Sequence, residues 1–299
     1  MSTAVRSLSV RTLPPHAFFL VSAVFHYLGP SFAVLLFARL DPAGVAWLRI
    51  ASAGLVFAVW RRPWRLLPAL SAGDRIIVVG LGVVLAAMNT VFYEAIAVLP
   101  LATVGAIEFL GPIAIAAWGA RTGRNLAALV LAVVGVSALT EVRLVAEPLG
   151  YLFAFANCAL FMLYILLGHR ISRGGAGVSG VDRLAAAMQV ASVAALPVGL
   201  RDALPAFTDP SLMAAAIGVG VSSSVIPYVC DQLAMSRLPR ASFALLLSLL
   251  PASAAVIGFL VLRQAPTYLD VCGIMLVIAG VALHQAKSDA GDPTSTEMA

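Results

Sequence analysis

Residues 76–97 read IIVVGLGVVLAAMNTVFYEAIA, an apolar run in which Glu94 is the single charged side chain. A helix needs about 20 predominantly apolar residues to cross the hydrocarbon core of a bilayer. Similar stretches recur along the 299-residue chain and predict ten crossings in all: 17–37, 43–60, 76–97, 101–119, 124–140, 149–167, 184–200, 212–233, 241–262 and 267–284. The pattern predicts an all-α integral membrane protein with little soluble mass.

The composition excludes a water-soluble core. Hydrophobic residues make up 61% of the chain and charged residues 11%, and the mean hydropathy is +0.99, whereas soluble domains carry about 25% charged residues. A net charge of +5 can indicate nucleic-acid binding. Here, however, the basic residues lie scattered between apolar stretches, so we expect the lipid bilayer as a partner and no nucleic acid.

The basic residues also predict an orientation, because cytoplasmic loops carry an excess of Lys and Arg. Most of the 19 basic residues fall on the side of the N-terminus. The exceptions are Arg39, Arg49, Arg143, Arg201 and Arg263. Both termini are therefore predicted to be cytoplasmic, in a plasma membrane of the bacterial inner-membrane type.

The two halves of the chain resemble each other. Residues 99–112, LPLATVGAIEFLGP, align without gaps on residues 238–251, LPRASFALLLSLLP. Five crossings are an odd number, so two such copies must lie in opposite orientations, as in alternating-access transporters. We predict a first five-helix repeat over 17–141, a second over 149–286, and a polar cytoplasmic tail over 287–299.

Prolines within three stretches predict helix breaks. A proline removes an amide donor and frees the carbonyl four residues earlier, which predicts free carbonyls at Glu108, Ser223 and Leu247. The prolines concerned are Pro112, Pro227 and Pro251. Freed carbonyls at membrane depth indicate a cavity, although the alternative, ordinary kinks satisfied by Ser and Thr, stays open.

Ionisable residues inside the stretches are candidates for binding or coupling, since a charge at the bilayer centre costs about 2.5–3.5 kcal/mol. Glu108 is the deepest carboxylate and the principal candidate to hold a proton or a substrate ammonium group. Glu94 and Arg49 lie at similar depths, so a structural ion pair is the alternative for both. His26 is a candidate pH-sensitive ligand or a packing residue.

Asp231 lies near the inner end of its stretch, one turn beyond Pro227. We expect it to serve a gate or to couple transport to a proton. A surface salt bridge with Arg237 or Arg240 is the alternative, worth under about 1 kcal/mol.

Neutral polar residues complete the candidate site. Asn89 and Tyr93 are one helical turn apart and share a face that can present hydrogen-bonding groups to a ligand. Tyr164 is a further candidate, and each of the three can instead tie helices together. The cysteines and histidines lack metal-like spacing, so neither a metal nor a cofactor is expected.

At these residues the chain resembles a known family. MNTVFYEAI (88–96), the Glu108-Phe109-x-Gly111-Pro112 motif, PWRL (63–66), YILLGHR (164–170) and SSVIPYVCDQLAMSRLP (223–239) resemble the threonine/homoserine exporters. These belong to the EamA group of the drug/metabolite transporter superfamily. The resemblance implies ten helices in two inverted repeats, a central cavity, and ATP-independent export of small amphiphilic metabolites such as amino acids.

Departures from the family pattern leave the substrate open between amino acids and, as the alternative, drugs or other metabolites. Leu250 stands where the family has Glu before proline, and Arg263-Gln264 replaces Gly-Glu. A membrane-embedded enzyme is disfavoured because no nucleophile and base converge in the sequence and no HExxH or GxSxG occurs. A channel is disfavoured because it requires a ring of charges or carbonyls.

Overall fold

The computed structural model of the protein describes residues 15–65, 68, 70–111, 122–140, 147–172, 178–235 and 249–283, and every long element in these ranges is helical. The first half contains α1 (Pro15–Leu36), α2 (Pro42–Arg61), a 3-10 turn (Pro63–Arg65), α3 (Ala72–Val98), α4 (Leu101–Glu108) and α5 (Gly123–Thr140). The second half contains α6 (Pro148–Ser172), α7 (Gly180–Ala194), α8 (Leu196–Thr208), α9 (Pro210–Gly220), a π-helical segment (Val221–Val225), α10 (Ile226–Met235), α11 (Leu249–Leu262) and α12 (Tyr268–Leu283). The all-α class is confirmed for the described residues.

Four helical runs are long and apolar enough to cross a membrane: α2, α3, α6 and the continuous run Pro210–Ala234. The pair α7 and α8 makes a fifth if it is counted as one span. Large apolar side chains point away from the protein interior along these helices, with Val59 70% and Ile76 73% exposed. Such an apolar exterior suits contact with lipid rather than with water.

The stretch 184–200, predicted as one crossing, is divided between two helices in the structure. Helices α7 and α8 meet at Ala195 and are bent by 80°. Pro197 lies in the first turn of α8, where it has no amide to continue the α7 hydrogen-bond ladder and its ring would clash with the preceding turn. The bend therefore coincides with a proline in the sequence. The apolar pattern alone did not predict the bend.

Helix starts are fixed by short polar side chains. The Ser71 hydroxyl accepts a hydrogen bond from the Asp74 amide, and Ser179 forms a capping box with Asp182. Asp209 caps α9 and also binds Arg39, with 2.8 Å between Nη2 and Oδ2. The Ser211 hydroxyl and the Leu212 amide are the main causes that lower the pKa of Asp209 to about 2. Because this pKa lies far below neutrality, the cap stays ionised at the helix N-terminus.

Helix packing follows a paired pattern across the two halves. Helix α3 packs on α6 and α7, while the run α9–α10 packs on α1 and α2. Helix α4 packs on α6 and on α11, and α11 also packs on α1. Helices α2 and α7 pack together, as do α5 and α12. Six helices consequently surround a common centre: α1, α2, α3, α4, α6 and α10.

Candidate functional site

Glu108 is the last residue of α4, and its side chain is buried, with 3% of the residue exposed. Tyr27 of α1 donates its hydroxyl to Glu108 Oε2 at 3.2 Å, and Asn157 of α6 donates its amide to Oε1 at 3.1 Å. His26 Nε2 lies 4.0 Å from Oε2. Three helices thus hold one carboxylate in the interior, as required where water is scarce.

A cavity lies beside this carboxylate. Its walls combine charged, amide and aromatic side chains with a few apolar ones. The lining residues are His26, Pro30, Arg49, Met88, Asn89, Phe92, Glu108, Asn157, Phe161 and Tyr228. A small cavity with few convergent polar groups is the usual form of a small-molecule site.

Arg49 lies on α2, in the first half of the chain. Its side chain reaches the cavity and contacts the π-helical segment of the second half. Its Nη2 donates to the Ser223 carbonyl at 2.6 Å and its Nε donates to the Ser224 hydroxyl at 2.8 Å. The guanidinium carbon lies 5.2 Å from the centre of the Tyr93 ring, close enough for a cation–π contact. Ser223 carries the carbonyl that Pro227 frees, so Arg49 supplies the donor that the proline removes.

The alternative of an Arg49–Glu94 ion pair is wrong. Across the described ranges no ion pair joins these two side chains, because Arg49 turns to the π-helical segment. Glu94 does not line the cavity either, and the charges that act on it are those of Asp202 in α8 and Asp41 at the start of α2. Similar depth along two helices does not make two side chains face each other.

Asn89 and Tyr93 lie in different layers of the site. Asn89 lines the cavity and donates its amide to the Leu85 carbonyl of its own helix at 2.7 Å. Tyr93 is fully buried behind the cavity wall, with its ring under Arg49. The shared helix face predicted from the sequence therefore divides into a residue at the cavity and a residue that supports Arg49.

A second buried carboxylate lies on α10, beyond the cavity. Asp231 of α10 is buried, with 8% of the residue exposed, and the Ser22 hydroxyl of α1 donates to its Oδ1 at 2.5 Å. Asp231 is enclosed between α1 and α10 rather than exposed at the surface. The alternative of a salt bridge names Arg237 and Arg240, which lie outside the described residues.

Two aromatic rings separate the two carboxylates. Tyr164 packs on Tyr228 with ring centres 5.6 Å apart, and the Tyr164 hydroxyl is buried without a hydrogen-bond partner in the described structure. Tyr228 lines the cavity, and Asp231 follows it by one helical turn. Tyr164 therefore packs on the side of Tyr228 that leads from the cavity towards Asp231.

The three predicted helix breaks have different outcomes. At Pro227 the break is present, because residues Val221–Val225 just before it form the π-helical segment. Pro251 lies inside α11, but its freed carbonyl at Leu247 is outside the described residues. Pro112 is also outside them, although the helical hydrogen bonding already breaks at Phe109.

Sequence reasoning missed Arg49, Phe161 and Tyr228 as cavity residues. The signal for Phe161 was available, since it lies between Asn157 and Tyr164 at helical spacing on α6. No comparable signal marked Arg49, whose partner is a backbone carbonyl. In the described ranges, no three His, Cys, Asp or Glu side chains lie close enough to bind a metal ion.

A cavity with charged side chains, enclosed by apolar helices, is the arrangement of a membrane transporter. The comparisons with known proteins agree, since the EamA-like transporter family matches residues 148–284. The threonine/homoserine exporter RhtA of Escherichia coli strain K12 is 31% identical over 278 residues, which cover 91% of this chain and 92% of that protein. RhtA of Salmonella typhimurium strain LT2 is 31% identical over 255 residues, 84% of each chain. The chain belongs to the EamA-like transporter family.

The fold has a counterpart among solved structures. A protein of known crystal structure aligns with 90% of this chain and 97% of its own, with a TM-score of 0.57 and 17% identity. At this identity the match shows a shared fold alone.

Proposed function

We propose that the protein exports small amphiphilic metabolites of the amino-acid class named for its relatives, by alternating access without ATP. The observation that carries the proposal is Glu108, a buried carboxylate whose close partners are the neutral Tyr27 and Asn157 and the ionisable His26. It lies at a cavity whose walls carry charged, amide and aromatic side chains. A carboxylate kept at this depth is expensive unless it binds a cation or a proton.

The proposed architecture is ten crossings in two inverted repeats, 17–141 and 149–286. The helix contacts support it. When α7 and α8 count as one crossing, and α9–α10 as another, each contact in one half has an equivalent contact five crossings further on. The contact of α3 with α6, for example, is equivalent to the contact of α9–α10 with α1. Both termini and the 287–299 tail are proposed to be cytoplasmic, in an inner membrane of bacterial type.

The contact of α5 with α12 supports the same inversion at atomic scale. A β-carbon on Gly135 would lie 2.6 Å from the Gly273 carbonyl, and one on Gly280 would lie 2.6 Å from the Ala128 carbonyl. Gly280 follows Gly135 by as many residues as Gly273 follows Ala128, so the two contacts exchange. This is the behaviour of an isologous, two-fold interface.

Within the site we propose distinct roles. Glu108 binds the substrate amine or a coupling proton, with His26 at its edge, and Asn89 orients the ligand. Tyr93 supports Arg49. Asp231 acts at an inner gate together with Tyr164, which packs on the cavity residue Tyr228. The helix breaks at Pro112, Pro227 and Pro251 provide the flexible points, and Glu94 has no contact with the cavity.

Drug export is the second candidate, since other members of the superfamily transport drugs. The deciding experiment measures efflux from cells lacking their own exporters, using threonine, homoserine, other amino acids and cationic dyes. Saturable, gradient-sensitive efflux of amino acids is expected. Efflux of dyes alone contradicts the proposal, and conductive flux without saturation indicates a channel.

The orientation has its own test. Single cysteines introduced at Arg121 and Arg237 should react with membrane-impermeant reagents from the inner side alone. Labelling of either position from outside intact cells contradicts the cytoplasmic placement of the termini.

A further inference from the structure

Arg49 carries a positive charge whose partners are all neutral. The residue is buried, with 4% exposed. It binds the Ser223 carbonyl, the Ser224 hydroxyl and the Tyr93 ring, and in the part of the chain that the structure describes no carboxylate lies within ion-pair distance. A buried charge without a counter-charge costs several kcal/mol. Neutral contacts offset part of this cost, and the Glu108 carboxylate acts on the charge only from beyond ion-pair distance.

The guanidinium also has donors to spare. Arginine has five N–H donors in a planar fork, and two of them are used in the bonds to Ser223 and Ser224. The fork matches the geometry of a carboxylate, which accepts two parallel bonds from it. Arg49 lines the cavity, so a ligand there can reach the remaining donors.

Glu108 presents the complementary case on the same cavity. Its two oxygens accept from the uncharged Tyr27 and Asn157, so its charge also lacks a full counter-ion. The cavity therefore carries one buried cation and one buried carboxylate in separate walls, which act on each other from beyond ion-pair distance. Apolar surface from Met88 and Phe92 lies on the same cavity.

We propose that Arg49 binds the carboxylate of the substrate and thereby restricts transport to zwitterions, with the substrate ammonium group at Glu108. This inference rests on the proposed function and deepens it by naming the substrate class. A small α-amino acid supplies both counter-charges at once. A compound with one charge leaves either Arg49 or Glu108 unsatisfied, and that penalty excludes simple amines and simple acids.

The test compares three probes in proteoliposomes containing the full-length protein. L-Threonine carries both charges, L-threoninamide carries the ammonium group alone, and N-acetyl-L-threonine carries the carboxylate alone. Initial uptake rates and the ligand-induced rise in Tm of the purified protein are measured for each. We expect L-threonine to be preferred over each analogue by at least about tenfold, as for a charged hydrogen bond.

Substitutions at Arg49 and Glu108 test which residue is responsible for the preference for L-threonine. Arg49→Gln should lose most of the preference for L-threonine over L-threoninamide, whereas Arg49→Lys, which keeps the charge but not the fork, should retain part of it. Glu108→Gln, in which export itself is expected to be lost, should instead reduce the preference over N-acetyl-L-threonine in the ligand-induced rise in Tm. Arg39→Gln removes an exposed arginine at the end of α1 and is the matched control, with the wild-type preference expected.

The outcomes separate this inference from the proposed function. Equal transport of L-threonine and L-threoninamide by the wild-type protein overturns the proposed restriction to zwitterions but does not contradict the proposed export function. This comparison uses the wild-type protein alone and does not depend on the folding of any variant. An unchanged preference in folded Arg49→Gln and Arg49→Lys overturns the role of Arg49. Failure of the wild-type protein to transport any amino acid overturns the proposed function and this inference with it.

Discussion

Arg49 Nη2 lies 2.6 Å from the carbonyl oxygen of Ser223, the one backbone acceptor that Pro227 leaves without its helical donor. The guanidinium thereby joins α2 of the first half to the π-helical segment of the second half. The buried guanidinium of one helix thus donates a hydrogen bond to a carbonyl at the interrupted part of another helix.

Replacing Pro227 by Ala should loosen this link. The new amide can donate to the Ser223 carbonyl and close the helix, so we expect a higher Tm together with slower export. The measurements are thermal unfolding in detergent and efflux from cells. Pro205→Ala, which changes an exposed proline inside α8, is the control for the effect of proline removal itself. Wild-type export by Pro227→Ala argues that the break has no part in transport.

Glu108→Gln should abolish export while leaving the amount of protein in the membrane unchanged, because the amide keeps the shape but cannot bind an ammonium group or exchange a proton. Glu94→Gln is the matched control, since Glu94 does not line the cavity. Efflux and membrane abundance are measured side by side. Full activity of Glu108→Gln, or equal losses in both variants, contradicts the assignment.

Tyr93 is expected to act through its ring. Tyr93→Phe should leave the apparent substrate affinity close to wild type, because Tyr93 does not line the cavity. Tyr93→Leu removes the face under Arg49, and a cation–π contact of about 0.5–2 kcal/mol predicts affinity weaker by roughly 2- to 30-fold. Concentration dependence of uptake gives both values. A large loss in Tyr93→Phe indicates instead that the hydroxyl contacts the ligand.

Ser22 and Asp231 should behave as one unit. Ser22→Ala leaves a buried carboxylate oxygen without its donor, which predicts a loss of about 1–2 kcal/mol in the free energy of unfolding. In a double-mutant cycle with Asp231→Asn, the two changes should be less than additive. Export at several external pH values tests the gate role, since a coupling residue shifts the pH profile. Additive stability changes and a wild-type profile together contradict both expectations.

The two-fold contact of α5 with α12 predicts matched costs. Gly135→Ala and Gly280→Ala each place a methyl group against a backbone carbonyl of the other helix, so each should lower stability by about 1–3 kcal/mol. Gly80→Ala and Gly218→Ala are the controls, because a β-carbon at either position meets open space. Thermal unfolding compares the four variants. A cost at one of the two contact glycines alone contradicts the symmetric interface.

Individual residues show how far the sequence could go toward the site. Glu108 was identifiable because a carboxylate in an apolar stretch is costly wherever the helix lies, and Pro227 because proline breaks a helix through its own covalent structure. The partner of Arg49 was not identifiable, because depth along a helix says nothing about the direction a side chain faces across the protein. The Ser22–Asp231 contact spans the two halves and leaves no local pattern.

The sequence by itself determined the helical class and the membrane setting, since both follow from local apolarity and the absence of water to satisfy a backbone in lipid. It also located the charged candidates along the chain. Tertiary structure alone decided which of them meet. It brought Glu108 to Tyr27, Asn157 and His26, placed Arg49 on the same cavity, and left Glu94 outside it. The physical reason is that helix formation is a local property, whereas the rotation and packing of each helix depend on every neighbour at once.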